Sequence, residues 1–308
     1  MMSAHPNLKV FPDPAESEWE ETKIGDLTFL EGIASAASDA GFDWLSYRPK
    51  TCDGGLSGTC ELGPPCEEDQ MVVKKICSSG GIGVKTVKMT NRAGLYCYLN
   101  GNPQKPRRGH PDPRGHSFHQ EFVETLCSFG EFRVCIQRDT SEEAMDGLNL
   151  PGRITSITRT KPLSMDGHRG FAGSSNPKPF DRREFEDITK DAGQQEQKCK
   201  ELRKFALLIY ILILERSRYV PELSSVSVGV RLDVGLSALS IDGKFFINEI
   251  TRCYNASSYG TGYCIEVNRD WADALAWIAT VVFGQEDEGH GTRKTSRKRR
   301  REDDSSLD

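Results

Sequence analysis

The sequence predicts an α+β fold, and three observations carry that expectation. Residues 71–89 (MVVKKICSSGGIGVKTVKM) read as strand, glycine loop and strand. Residues 225–252 hold two further strand-like runs, SVSVGVRLDVGLSALS and KFFINEITR, joined by IDGK, a two-residue hairpin signal. Two stretches of the C-terminal half carry helical patterning: Asp191–Arg218, with an apolar stripe dense from Phe205 to Leu214 and Pro221 just past its end, and Trp271–Phe283.

The remaining elements follow in chain order. Residues 1–24 are polar and acidic and read as a poorly ordered lead-in. Within 25–69, Leu27–Ala40 has helical spacing and stops before Gly41; a loop rich in Cys, Gly and Pro follows. Residues 99–116 form a basic Pro/Gly loop, HQEFVETL and FRVCIQ bracket a turn, and ITSITRT alternates as a strand should. The stretch 164–184 is polar loop. Residues 285–308 form a charged tail holding RKTSRKRRREDD, which reads as an import signal or as a solvated tail.

Composition narrows the function classes. The 308 residues are 37% hydrophobic, enough to bury a core. Phe205–Leu214 is the longest apolar run and is too short to span a membrane. A net charge of −5 argues against nucleic-acid binding by the chain as a whole. The N-terminus has neither the basic start nor the apolar stretch of a secretory signal. A reducing cytoplasmic or nuclear location is therefore expected, with the ten cysteines as free thiols. Cys77, Cys97, Cys135 and Cys264 read as small core residues. Cys52, Cys60 and Cys66 cluster without any CxxC pair, so an irregular thiol loop is favoured over a zinc site. His110, His116 and His119 read as solvated loop histidines.

The chemistry is concentrated in three places. A glycine hairpin can fold over a triphosphate, its backbone N–H groups donating to the oxygens, while a strand lysine adds fixed charge. Lys74 and Lys75 point to opposite faces, so one of them can serve. HQEFVETLCSFGEFRVCIQ offers an acid at a strand end, a short link, and a strand with an inward Arg133. In the third place, Asp233 and Glu249 lie on consecutive strands and can bind Mg²⁺, an oxygen-seeking cation that takes phosphate co-ligands. Alternation puts Arg231 with Asp233 and Thr251 with Glu249, and turns Asn248 to the other side.

Taken in order, these pieces resemble the ATP-grasp superfamily, and the RLD and NEIT strands resemble its D-alanine–D-alanine ligase type. The resemblance spans 70–284. It implies two α+β lobes gripping ATP, with Lys74 on the phosphates and Gly80, Gly81 and Gly83 covering them. It implies Glu121, Phe122 and Val123 at the adenine hinge and Arg133 near phosphate. It further implies Arg231 on the transferred phosphoryl group and Asp233, Glu249 and Thr251 on Mg²⁺. Two departures stand out: Thr251 replaces the asparagine of E-x-N, and Lys75 replaces the usual proline.

The reading favoured is an ATP- and Mg²⁺-dependent ligase that activates an unidentified carboxylate as an acyl phosphate for an amine or thiol. The alternatives are a non-catalytic ATP-binding regulator, a small-molecule kinase on the same fold, and a chance resemblance. The basic tail would engage an import receptor. Asp233→Asn and Glu249→Gln are expected to remove Mg·ATP binding with little loss of folding.

Overall fold

The computed structural model describes residues 11–13, 15–16, 24–52, 62, 70–75, 84–88, 117–138, 152–160 and 180–252. Gly80, Gly81, Gly83, the expected helix at 271–283 and the tail lie outside them, as do Cys60, Cys66, Cys77, Cys97, Cys264, His110 and His116.

The described strands form two four-stranded antiparallel sheets. The first has the order β1 (Thr51–Cys52), β4 (Ser117–Glu121), β2 (Gln70–Lys75), β3 (Val84–Lys88). The second has the order β6 (Gly152–Arg159), β5 (Phe132–Arg138), β7 (Gly229–Leu236), β8 (Phe245–Arg252). Helix α1 spans Ile24–Asp39, a short α2 spans Glu124–Ser128, and the long α3 spans Ala192–Ser217.

The second sheet is sided by its alternation. Val134 and Ile136 of β5 and Val230, Leu232 and Val234 of β7 turn to one face and pack in a single core with Leu202, Phe205, Ala206, Ile209 and Ile213 of α3. Every one of these side chains is buried, which makes this face the main apolar reservoir of the fold. The Asp191 side chain caps α3 by accepting from the Gln194 amide at 2.7 Å. A run of ring contacts, Phe129–Phe132–Phe185–Phe245–Phe205, closes the end of the core nearest β8. The other face of this sheet is polar and carries the candidate site.

Several expectations change. The loop after α1 supplies a strand: Thr51 and Cys52 pair with Gln120 and His119 of β4. His119 therefore lies inside the first sheet, 1% exposed, instead of solvated. Residues 221–227 form 3-10 turns, so β7 starts at Gly229, and the link to β8 runs from Ser237 to Lys244. That link is longer than the two-residue turn IDGK suggested; Lys198 of α3 donates to the Gly243 carbonyl at 3.1 Å and ties it down. Cys135 lies between Val134 and Ile136 and so belongs to the polar face, half-buried and in register with Arg231. Among the described residues, Cys127 and Cys199 are free thiols.

The polar lead-in also holds a fixed point. Glu16 is fully buried and accepts from the hydroxyls of Ser224 and Ser225 and from the Ser225 amide. It forms an ion pair with Arg252 at 2.9 Å, and Arg252 in turn donates to Asp26 of α1 at 2.6 Å. Composition offers no hint of this socket, because burial of Glu16 depends on partners more than 200 residues away.

Candidate nucleotide and metal site

The polar face of the second sheet is ordered by strand register. One row across the four strands reads Thr158, Arg133, Asp233, Glu249, and the next reads Ser156, Cys135, Arg231, Thr251. Antiparallel pairing puts directly opposed side chains within reach of one another. Arg133, Arg231, Asp233, Glu249 and Thr251 are thus brought together by hydrogen-bonded backbone.

Within this array Arg231 grips Asp233. Its Nε and Nη2 donate to the two carboxylate oxygens at 2.7 and 2.9 Å, and Nη2 also donates to Thr251 Oγ1 at 2.9 Å. Arg231 and Asp233 are both buried. Burial works against the Arg231 charge, but the Asp233 carboxylate outweighs it and pushes the guanidinium pKa up. Arg133 faces Asp233 from β5, and its Nε has no hydrogen-bond partner among the described residues.

The strand β8 departs from regular alternation at the site. Asp233 opposes Glu249 while Val234 opposes Ile247, so Asn248 is the extra residue of a bulge. Ile247 and Ile250 both enter the core, and the two residues between them, Asn248 and Glu249, share the polar face. The expectation that Asn248 turns away is overturned, because alternation of period two fails wherever one strand carries an unpaired residue.

That turn lets Asn248 join two other elements. Its Nδ2 donates to Glu131 Oε2 at 2.8 Å, and its Oδ1 accepts from Lys74 Nζ at 3.2 Å. Lys74 comes from β2, so this contact links the two sheets. Glu131 precedes β5. Burial pushes its carboxyl up to about 7; Asp233 and Glu249 add to the rise, while Asn248 and Arg133 oppose it.

Glu121 ends β4 as expected, and its Oε2 accepts from the Lys50 amide at 2.9 Å. Val123 is the N-cap residue of α2 and Phe122 is half-buried beside it. Tyr47 connects this edge to the second sheet: its ring packs on Phe246 at 5.4 Å, and burial together with the Glu121 charge pushes its hydroxyl pKa up. Phe246 lies over Gly235, where a Cβ would meet the ring at 2.5 Å.

Asp233 and Glu249 oppose each other across β7 and β8, and carboxylate oxygen is the donor type that Mg²⁺ prefers, although both Asp233 oxygens and the Thr251 hydroxyl also accept from Arg231. Among the described residues no three His, Cys, Asp or Glu side chains form a cage for a metal on their own. Mg²⁺ characteristically takes one or two carboxylates and fills the rest of its shell with water and substrate phosphate, so an all-protein cage is not what the fit requires.

The sequence pointed to Lys74, Arg133, Arg231, Asp233, Glu249 and Thr251, which the fold gathers on or above one sheet face. It missed Glu131 and Asn248. Glu131 sits outside any strand pattern, and Asn248 carries no residue-type mark of a bulge.

No protein-family model and no curated protein matches the chain. Solved structures with a distant likeness to the mixed α+β chain do exist. The chain is similar to the D-cycloserine synthetase DcsG, with a TM-score of 0.43 and 14% identity, over 84% of this chain and 70% of that one. It is also similar to D-alanyl-alanine synthetase A from Vibrio cholerae O1, with a TM-score of 0.39 and 10% identity, over 85% of this chain and 67% of that one. A likeness this distant carries no argument about function, which rests on this chain's own residues.

Proposed function

We propose that the chain binds ATP with Mg²⁺ and acts as a ligase, activating a carboxylate as an acyl phosphate for attack by an amine or thiol. The observation that carries this reading is the register row Arg133–Asp233–Glu249 with Lys74 held above it from the other sheet. Cations from two strands and two opposed carboxylates are what a triphosphate and its divalent ion require. Glu249, Asp233 and Thr251 would hold Mg²⁺, which supplies charge neutralisation on the phosphates. Lys74 and Arg133 would bind phosphate oxygens, and Arg231 would stabilise the phosphoryl group in transfer. Glu121, Phe122 and Val123, with the glycines at 80, 81 and 83, complete the reading as the hinge and the phosphate cover. Reaction of this kind is mostly positioning and charge neutralisation, and no side-chain nucleophile is needed.

One observation favours a second reading, an ATP-binding module without turnover. Arg231 commits its fork to Asp233 and Thr251, so phosphoryl contact requires it to let go.

The test is thermal stability with ATP, with Mg²⁺ and with both. Nucleotide at about a hundred times Kd adds about 2.7 kcal/mol, a rise of several degrees. A gain that needs both ligands and is lost in Glu249→Gln supports the site. No gain, or an equal gain in that variant, removes it. Phosphate release with a panel of carboxylates plus amines or thiols then separates ligase from module.

A further inference from the structure

Asn248 stands between the ammonium group of one sheet and the carboxyl group of the other, and nothing in the proposed function gives it a task. Its amide is fixed at both ends: Nδ2 donates to Glu131 Oε2 at 2.8 Å and Oδ1 accepts from Lys74 Nζ at 3.2 Å. The lysine settles which way the amide faces, since an ammonium group only donates and so takes the amide oxygen, leaving the NH₂ for Glu131.

Glu131 is built to hold a position. Its amide donates to Thr160 Oγ1 at 3.0 Å, and its carbonyl accepts from the Thr160 amide at 2.8 Å. Gly130, just before it, has φ +92°, and a Cβ there would lie 2.5 Å from the Thr160 carbonyl oxygen. The chain can approach Thr160 this closely because residue 130 is glycine. At the other end, Asn248 is set by the bulge, with Ile247 and Ile250 anchored in the core on either side. A pinned carboxyl and a pinned amide thus meet a long, rotamer-rich lysine.

We propose that Asn248 and Glu131 are positioning residues for Lys74: Glu131 orients the Asn248 amide, and the Asn248 oxygen holds the Lys74 ammonium over the Arg133–Asp233–Glu249 row. Its consequence for nucleotide rests on the proposed ATP site; the geometry itself does not. Ordering a lysine before a ligand arrives lowers the entropy lost on binding, so the pair would strengthen phosphate binding in particular.

Two measurements on the full chain test this. The first needs no nucleotide: the rate of acylation of Lys74 by an amine-directed reagent, followed by peptide mass spectrometry, in the parent, Asn248→Ala, Glu131→Ala and Glu131→Gln. Asn248→Ala and Glu131→Ala are expected to change the Lys74 rate at least about threefold. Glu131→Gln keeps an oxygen acceptor for Nδ2 and is expected to return the rate most of the way to the parent value. Reactivity of the buried Lys198, which rises only on unfolding, is the control. The second is the split between Mg·ADP and adenosine affinity: Asn248→Ala is expected to weaken Mg·ADP about tenfold and adenosine less than twofold.

An unchanged Lys74 rate in Asn248→Ala, or equal rates in Glu131→Ala and Glu131→Gln, overturns the positioning role whatever the nucleotide data say. Parallel losses of ADP and adenosine also overturn it, because they mark a general structural defect. A changed Lys74 rate in a parent that binds no nucleotide upholds the pair and removes the ATP reading instead.

Discussion

Asn248 and Glu249 are adjacent in the chain yet leave β8 on the same face, because the bulge gives β8 one residue more than β7 pairs between Asp233 and Val234. Deleting Asn248 removes the extra residue and leaves Ile247, Glu249 and Ile250 on the faces they now occupy. The deletion is expected to cost no more than about 2 kcal/mol in chemical denaturation, with an unchanged m-value. Inserting one alanine after Glu249 throws Ile250 onto the polar face and is expected to cost more than about 3 kcal/mol. If the two variants unfold at the same denaturant concentration, the bulge assignment is wrong.

Arg231 and Asp233 correct one expectation drawn from sequence. Asp233 is 2% exposed and carries the Arg231 fork, so Asp233→Asn does not test metal binding cleanly. Removing one partner of a buried pair costs about 3–5 kcal/mol, whereas replacing both with apolar residues restores much of the loss. Arg231→Met with Asp233→Leu should therefore be more stable than Asp233→Asn alone. Glu249 is half-buried, and Glu249→Gln is expected to cost under about 1 kcal/mol, which makes it the clean probe. Equilibrium unfolding in urea ranks all three.

Glu131 should give the fold a pH dependence of a defined sign. Its carboxyl ionises near 4.5 when unfolded and is pushed up to about 7 when folded. Between those values the folded state binds more protons, so stability falls as pH rises from about 4.5 and levels off above about 7. Glu131→Gln is expected to flatten this slope. The measurement is the denaturation midpoint at pH 5 and pH 8 in parent and variant; identical slopes would place the titration elsewhere.

Glu16 and Arg252 are both fully buried and paired at 2.9 Å. Glu16→Ala removes a buried carboxylate from buried Arg252 and is expected to cost about 3–5 kcal/mol. A shortened chain lacking residues 1–16 should show the same loss in a melting experiment. Full stability after that truncation would mean the lead-in contributes nothing.

Much of the fold was legible because it rests on short-range pattern. The α1 and α3 spans, the strand holding Lys74, and the strands holding Asp233 and Glu249 follow from periodicity and from Asp191 and Pro221 at the ends of α3. Pairing was less legible. Thr51–Cys52 is too short to announce itself, and His119 reads as loop until β4 is seen between β1 and β2. Cys135 reads as a core residue in the sequence because an isolated apolar strand does not say which of its faces will meet a helix.

The sequence by itself determined α1, α3 and the strands that hold Lys74, Arg133, Asp233 and Glu249, and it put Lys74, Arg133, Arg231, Asp233, Glu249 and Thr251 in the order from which the proposed nucleotide and Mg²⁺ site is read. Side-chain type and local spacing suffice for that, since both are properties of neighbouring residues. Tertiary structure alone decided that Glu131 and Asn248 join them, that Arg231 clasps Asp233, and that Glu16 is buried. Each depends on strand register, a bulge, or a contact between distant segments. Those are chosen by how the apolar face of the whole sheet packs against α3, and no local stretch of chain encodes that choice.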